Sequence, residues 1–166
     1  KEVPQITARE KLNLEKSKKY ILFMYGKDRK VKNFQLVEKA MTLLKGEVEL
    51  LTPFPIDIIN VPLYMSACDV LVLTSISEGS PNVIKEALAC NLPIVSTKVG
   101  DVEKTISNSK NCHLIDFNEK ELAEKIELIF ESAERSNGIE QIKRLKIDSV
   151  SIANKINLLY RECLKN

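Results

Sequence analysis

The chain has 166 residues, 44% hydrophobic and 29% charged, and its 25 basic and 23 acidic side chains leave a net charge of only +2. That length accommodates one domain with a normal core and leaves no room for a second. The near-balance of charge lacks the basic footprint of a nucleic-acid binder, and no apolar run approaches the roughly 20 residues needed to cross a bilayer. The four cysteines, Cys68, Cys90, Cys112 and Cys163, are widely separated and fit no metal-ligand spacing, so they read as reduced core or near-core residues of a cytoplasmic protein. His113 is the sole histidine, which leaves a His-based triad or a multi-histidine metal centre without its parts.

The sequence begins without Met or a signal-like segment and reads as a piece of a longer protein. Residues 1–19 form a lead-in, with Thr7 and Glu10 as a capping box and Lys16, Lys18 and Lys19 as a solvated turn. Residues 20–25 are continuously apolar and aromatic, the pattern of a strand buried on both faces. Gly26 ends that strand, and the loop after it places Lys27, Arg29, Lys30 and Lys32 within six positions. A charged loop is most often only a solvated loop. This one follows a parallel strand, at the edge where open α/β sheets hold their ligands, so it is also a candidate anion site.

A helix is expected over 34–45, with Leu36, Val37, Ala40, Leu43 and Leu44 on its inner stripe and Gly46 as its stop. A strand over 48–51 follows, then a stiff turn with Pro53 and Pro55, and a short or Pro62-broken helix over 56–67. Another strand spans 70–74. It leads into a polar turn with Glu78 and Gly79, and then a helix for which Ser80 suits the N-cap and Pro81 the first turn. The amides of Asn82, Val83 and Ile84 are then donors at a helix tip, where unpaired N–H groups and the positive dipole end favour phosphate. Glu86 lies about 7 Å further along the helix at 1.5 Å per residue, the scale separating a phosphate from a ribose hydroxyl pair. Glu78 lies on the other side of the tip, and either carboxylate accepts hydrogen bonds from sugar hydroxyls well.

A second apolar run over 92–95, a loop over 97–101 with Gly100, a short helix over 102–108 and a strand over 112–115 complete the alternation. Asn118 caps a helix running to about 133, and helical patterns cover 139–146 and 152–164. Five strands alternating with helices make a doubly wound, Rossmann-like parallel sheet with helices on both faces.

Glu78 and Glu86, separated by seven residues in the frame Glu-Gly-Ser-Pro-Asn-Val-Ile-Lys-Glu-Ala-Leu-Ala-Cys-Asn-Leu-Pro-Ile-Val-Ser-Thr, resemble the signature of retaining family 4 glycosyltransferases of the GT-B fold. Gly26, Lys27 and Lys32 fall where such enzymes carry a glycine, an arginine and a lysine, and Ala67-Cys68-Asp69-Val70 is similar to the segment before the signature strand. The resemblance covers residues 20–130. It implies the C-terminal, donor-binding domain of an enzyme that moves a sugar from a nucleotide diphosphate donor to an acceptor hydroxyl with retained configuration and without a metal. It assigns catalytic roles to Glu78, beside the donor sugar, and to Lys32, beside the leaving diphosphate. Lys27, Arg29, Gly79, Ser80, Pro81, Asn82, Val83 and Glu86 become substrate-binding, with Glu86 on the ribose. The implied partners are the nucleotide-sugar donor and a preceding N-terminal domain that carries the acceptor and any membrane association. Residues 152–164 resemble the helix that packs toward that domain, so one of its faces should be unusually apolar.

Three departures stand out: Lys27 replaces an arginine, Lys104 stands where an acid is common, and the stretch between the second and third strands is one strand and helix short. A non-catalytic sugar-nucleotide-sensing module, or an epimerase or phosphorylase of the same fold, are the alternatives.

Overall fold

The computed structural model describes residues 3–164. Its centre is a five-stranded parallel sheet of β1 (Lys19–Leu22), β2 (Val48–Leu51), β3 (Val70–Leu73), β4 (Ile94–Thr97) and β5 (Cys112–Ile115), in the order β2-β1-β3-β4-β5. The strands read as unbroken apolar runs because both faces are covered. On one face Tyr20, Leu22, Leu71, Leu73 and Ile94 pack with residues of α3 (Val61–Ala67), α4 (Asn82–Ala89) and α5 (Val102–Ile106). On the other, Ile21, Phe23, Val70, Val72 and Val95 pack with α2 (Phe34–Met41) and α6 (Glu119–Ser132). The first helix, α1 (Gln5–Lys11), lies against α3, and α7 (Gly138–Leu145) against α4 and α5. The last, α8 (Ser149–Cys163), buries none of its side chains.

The strand order reverses between β1 and β3, because the chain leaves β1 toward β2 and returns to the other side of β1. At such a switch point the loops leaving the two strands diverge to opposite faces and open a crevice at their carboxyl ends. The loops after β1 and β3 are the basic loop and the turn carrying Glu78.

Several element ends differ from the sequence expectation. α1 starts behind Pro4 without a side-chain cap, so Thr7 lies inside it. Gln5 explains the early start, since its amide donates to the Ala67 and Cys68 carbonyls and to Asp69 Oδ1, which pins the first turn. β1 ends at Leu22, three residues short of Tyr25. Its ladder with β2 closes with Phe23 N–H on the Leu51 carbonyl, beyond which β2 gives way to Thr52-Pro53. α2 stops at Met41 and tightens into a final turn, which leaves Leu43 exposed. α4 begins at Asn82 with Pro81 as its N-cap, one residue later than expected. β4 is shifted toward its polar end, Ser96 and Thr97, both fully buried. α7 and α8 begin earlier than expected, α8 behind an Asp148 carboxylate that accepts the Ser151 N–H.

Pro62 breaks no helix: a 3₁₀ turn over Ile58–Asn60 precedes α3, and Pro62 sits in its first turn, where no N–H is needed. As the sequence indicated, no further strand lies between β2 and β3, and β2 forms the sheet edge. Of the cysteines, Cys163 is exposed on α8 rather than near the core. His113 lies on edge strand β5 in register with Val95, and burial and then Lys125 lower its pKa.

Candidate functional site

At the switch point the chain closes a small network across the carboxyl edge. Thr74 Oγ1 donates to the Lys32 carbonyl at 2.8 Å, and Ile76 N–H to the Val31 carbonyl at 2.8 Å, which ties the loop after β1 to the loop after β3. Thr97 Oγ1 donates to the Ser75 carbonyl at 2.7 Å, tying in β4. Gly100 has φ +53°, and a Cβ there would collide with the Gly79 carbonyl. Only glycine accepts both demands, so Gly100 lets Asp101 N–H reach the Gly79 carbonyl at 3.1 Å. The Glu78-Gly79-Ser80 turn is thereby held by its neighbours on two sides.

Lys32 is the buried centre of this network. Its Nζ donates to Glu78 Oε1 at 2.5 Å, with the two side chains only 8% and 15% exposed. Ser75 Oγ donates to the same oxygen at 2.7 Å. Among the described residues, Glu78 Oε2 accepts no hydrogen bond, so one oxygen is fixed and the other available. The Lys32 ammonium also lies 3.6 Å from the centre of the Tyr25 ring, a cation–π seat. Tyr25 is half-buried, and its hydroxyl pKa is raised, first by burial and then by the charges of Glu78 and Glu86; Arg29 opposes the shift.

α4 has no side-chain cap at its tip, which leaves the first-turn amides without a side-chain acceptor. Ser80, expected to cap it, is engaged elsewhere: its Oγ donates to Asp101 Oδ2 at 2.5 Å and accepts from Lys85 Nζ at 2.6 Å. Pro81 and Val83 are buried, so Val83 offers the crevice only its backbone, whereas Gly79 and Asn82 are exposed. Glu86, the fifth residue of α4, is half-buried, and burial raises its pKa. It lines an apolar cavity of about 230 Å³ with Ile58, Val61, Pro62, Met65 and Cys90.

The basic loop divides. Lys32 turns inward, while Lys27, Arg29 and Lys30 are exposed around a cavity of about 540 Å³ that also touches Phe34, Gln35 and Ile76. Lys27 Nζ stands 5.0 Å from the centre of the Phe34 ring. That cavity borders neither Glu78 nor α4. The structure therefore brings together Lys32, Glu78 and Tyr25, sets Glu86 beside the apolar cavity further along α4, and leaves Lys27 and Arg29 on the exposed basic loop. Sequence reasoning missed Tyr25, Ser75, Thr97 and Asp101. The available signal for Tyr25 was a hydroxyl-bearing residue closing an otherwise apolar run just before Gly26. Among the described residues, no group of His, Cys, Asp or Glu gathers as metal ligands, and no helix is long and apolar enough to cross a membrane.

The fold has clear counterparts. Sucrose-phosphate synthase of Thermosynechococcus elongatus superposes over 99% of this chain and 50% of its own, with a TM-score of 0.85 at 23% identity. Anabaena HepE, solved in complex with UDP-glucose, covers 93% of this chain and 51% of its own, with a TM-score of 0.74 at 18% identity. The C-terminal domain of LpcC, a glycosyl transferase group 1 family protein of Francisella tularensis, covers 87% of this chain and 93% of its own, with a TM-score of 0.67 at 18% identity. These likenesses establish the GT-B fold. Among curated proteins, TuaC of Bacillus subtilis, a glycosyltransferase assigned to teichuronic acid biosynthesis, is 44% identical over 52 residues, 31% of this chain and 13% of TuaC. The chain thus spans a small part of that relative and about half of the first two structures. The Glycosyl transferases group 1 family matches residues 1–132, most of the sequence and every residue of the crevice, and the chain belongs to that family.

Proposed function

We propose that this chain is the donor-binding domain of a retaining glycosyltransferase, which moves a sugar from a nucleotide diphosphate sugar to an acceptor hydroxyl. One observation carries the reading: at the switch point a buried lysine–glutamate pair, Lys32 with Glu78, lies beside an uncapped helix tip, with a second half-buried acid four residues along that helix. The groups follow the order of the donor. Glu78 Oε2 receives hydroxyls of the sugar, the amides of Asn82 and Val83 and the Lys32 ammonium receive the diphosphate, and Glu86 receives the ribose. The apolar cavity beside Glu86 suits a nucleobase, with the 3₁₀ turn and α3 standing in for the absent strand and helix.

During transfer the bond between the anomeric carbon and the phosphate oxygen breaks, and negative charge grows on the leaving diphosphate. Lys32 is fixed by Tyr25 and by Glu78, itself held by Ser75, before the reaction starts, so it stabilises that charge with little reorganisation. Glu78 is held by two donors on one oxygen and acts as a sugar ligand, not as a nucleophile. Metal-free chemistry is part of the proposal, with Lys32 and the helix tip in the role a cation would otherwise play. Lys27 and Arg29 reach the diphosphate if the basic loop swings toward α4. The acceptor belongs to a further domain, and α8 is the element of this chain assigned to face it, so the chain by itself should bind donor without turning it over.

Calorimetric titration with UDP, GDP, ADP and their sugars tests this. One nucleotide series is expected to bind, Glu86→Ala to weaken it about 10- to 100-fold through loss of charge-assisted hydrogen bonds, and rising salt to weaken it further. Absence of binding at millimolar concentration, with Glu86→Ala indistinguishable from the parent, would remove the assignment.

A further inference from the structure

The Tyr25 ring helps to fix Lys32 in the arrangement above, but its hydroxyl has no role there, and its surroundings define one. It lies just beyond β1, and its ring packs against the apolar clusters on both faces of the sheet, so the phenol is fixed at the rim of the switch point. Phe23 meets it edge-on, with ring centres 6.0 Å apart. One face of the ring carries the Lys32 ammonium. The hydroxyl, by contrast, makes no hydrogen bond to any of the described residues. A half-buried O–H without a protein partner, on the ring that seats Lys32, is a donor held ready for something else.

We propose that the Tyr25 hydroxyl donates a hydrogen bond to the diphosphate of the bound ligand, while its ring seats Lys32 against Glu78. The inference rests on the donor-binding reading and adds to it a binding residue and the reason for its position. A diphosphate has only acceptors on its oxygens, so the site needs donors that remain protonated. Burial and the two acids keep the phenol protonated well beyond neutral pH, so it serves as a donor throughout the physiological range. The ring performs a separable task. Lys32 donates to Glu78 alone among the described residues, and the π face gives the buried ammonium a second seat without a second carboxylate that would compete with phosphate.

Two variants separate the tasks. Tyr25→Phe keeps the ring and removes only the donor; Tyr25→Leu removes both. The probes are UDP, GDP, ADP and inorganic pyrophosphate, titrated into the parent chain, the two variants and Glu86→Gln, with thermal unfolding measured in parallel. Tyr25→Phe is expected to bind pyrophosphate and the preferred nucleotide about 10-fold more weakly with its melting temperature unchanged, and Tyr25→Leu about 100-fold more weakly. Equal affinity of Tyr25→Phe and the parent, with Glu86→Gln impaired toward the nucleotide, overturns the role of Tyr25 and leaves the donor site standing. No binding of any probe by the parent overturns both.

Discussion

Arg9 with Asp69, where the chain enters β3, and Lys32 with Glu78, where it leaves, are buried to the same degree: each cation is 8% exposed and each carboxylate 15%. Both cations also lie over a tyrosine at an end of the same apolar run, Arg9 over Tyr20 at 5.0 Å and Lys32 over Tyr25 at 3.6 Å. They differ in how far their bonding capacity is used. All three guanidinium nitrogens of Arg9 donate, to Ala67, Lys16 and Asp69, and both oxygens of Asp69 accept, from Arg9, Gln5 and the Tyr20 N–H. At the other end, Lys32 Nζ and Ser75 Oγ crowd onto one oxygen of Glu78, and the second oxygen accepts nothing among the described residues. Burial alone does not distinguish an anchor from a site. A saturated pair holds α1 to the sheet; an unsaturated one holds capacity in reserve for a ligand.

The sharpest way to break this comparison is Asp69→Ala. It strands the Arg9 guanidinium and the Tyr20 N–H in a buried place and is expected to cost about 3–5 kcal/mol of stability, read by urea unfolding, while the folded fraction keeps its nucleotide affinity. A cost near zero would mean that Arg9 finds other partners and that saturation counts for little. Glu78→Gln is the counterpart at the site. The amide oxygen still accepts from Lys32 and Ser75, so the stability loss should be about 1 kcal/mol, while the affinity advantage of a nucleotide sugar over its nucleoside diphosphate disappears in calorimetry.

The smallest effect has the opposite sign. Burial raises the Glu86 pKa above its ordinary value of 4.5, so folding favours the protonated form. Any gain from that form is complete below the unfolded pKa and is lost as pH rises through the folded one, which leaves the ionised acid a slight burden at neutral pH. Glu86→Gln should therefore melt slightly higher than the parent at pH 7 and together with it near pH 4. An unchanged or lower melting point at pH 7 would show that the carboxylate is compensated like Asp69.

The β/α alternation and all five strands were legible because unbroken apolar runs bounded by Gly, Pro and polar turns have few other uses. Glu78, Glu86 and Lys32 stood out as candidates through their spacing in a recognisable frame. The Ser80 cap was not, because local propensity favoured it while Asp101, 21 residues away, took its hydroxyl. Arg9 and Tyr25 were hidden for the same reason. The partner that gives Arg9 meaning lies 60 positions off, at Asp69, and Tyr25 gains its own only where the loop after β1 folds Lys32 back onto its ring. Lys27 and Lys32 both read in sequence as members of one basic loop. The 3₁₀ turn over Lys30–Lys32 separates them by burying one and exposing the other.

α8 shows what a helix is worth without a neighbour. It has an N-cap at Asp148, yet Ile152, Ile156, Leu159 and Tyr160 all face solvent, and none of its 15 residues is buried. A helix of that length with no buried side chain lies near the balance point between helix and coil in water. Its amide protons therefore exchange on the timescale of a frayed peptide, while those of β3 wait for the whole sheet to open. α8 thus acts as a gauge of coverage: any surface that comes to rest on its apolar stripe is recorded, amide by amide, in slowed exchange.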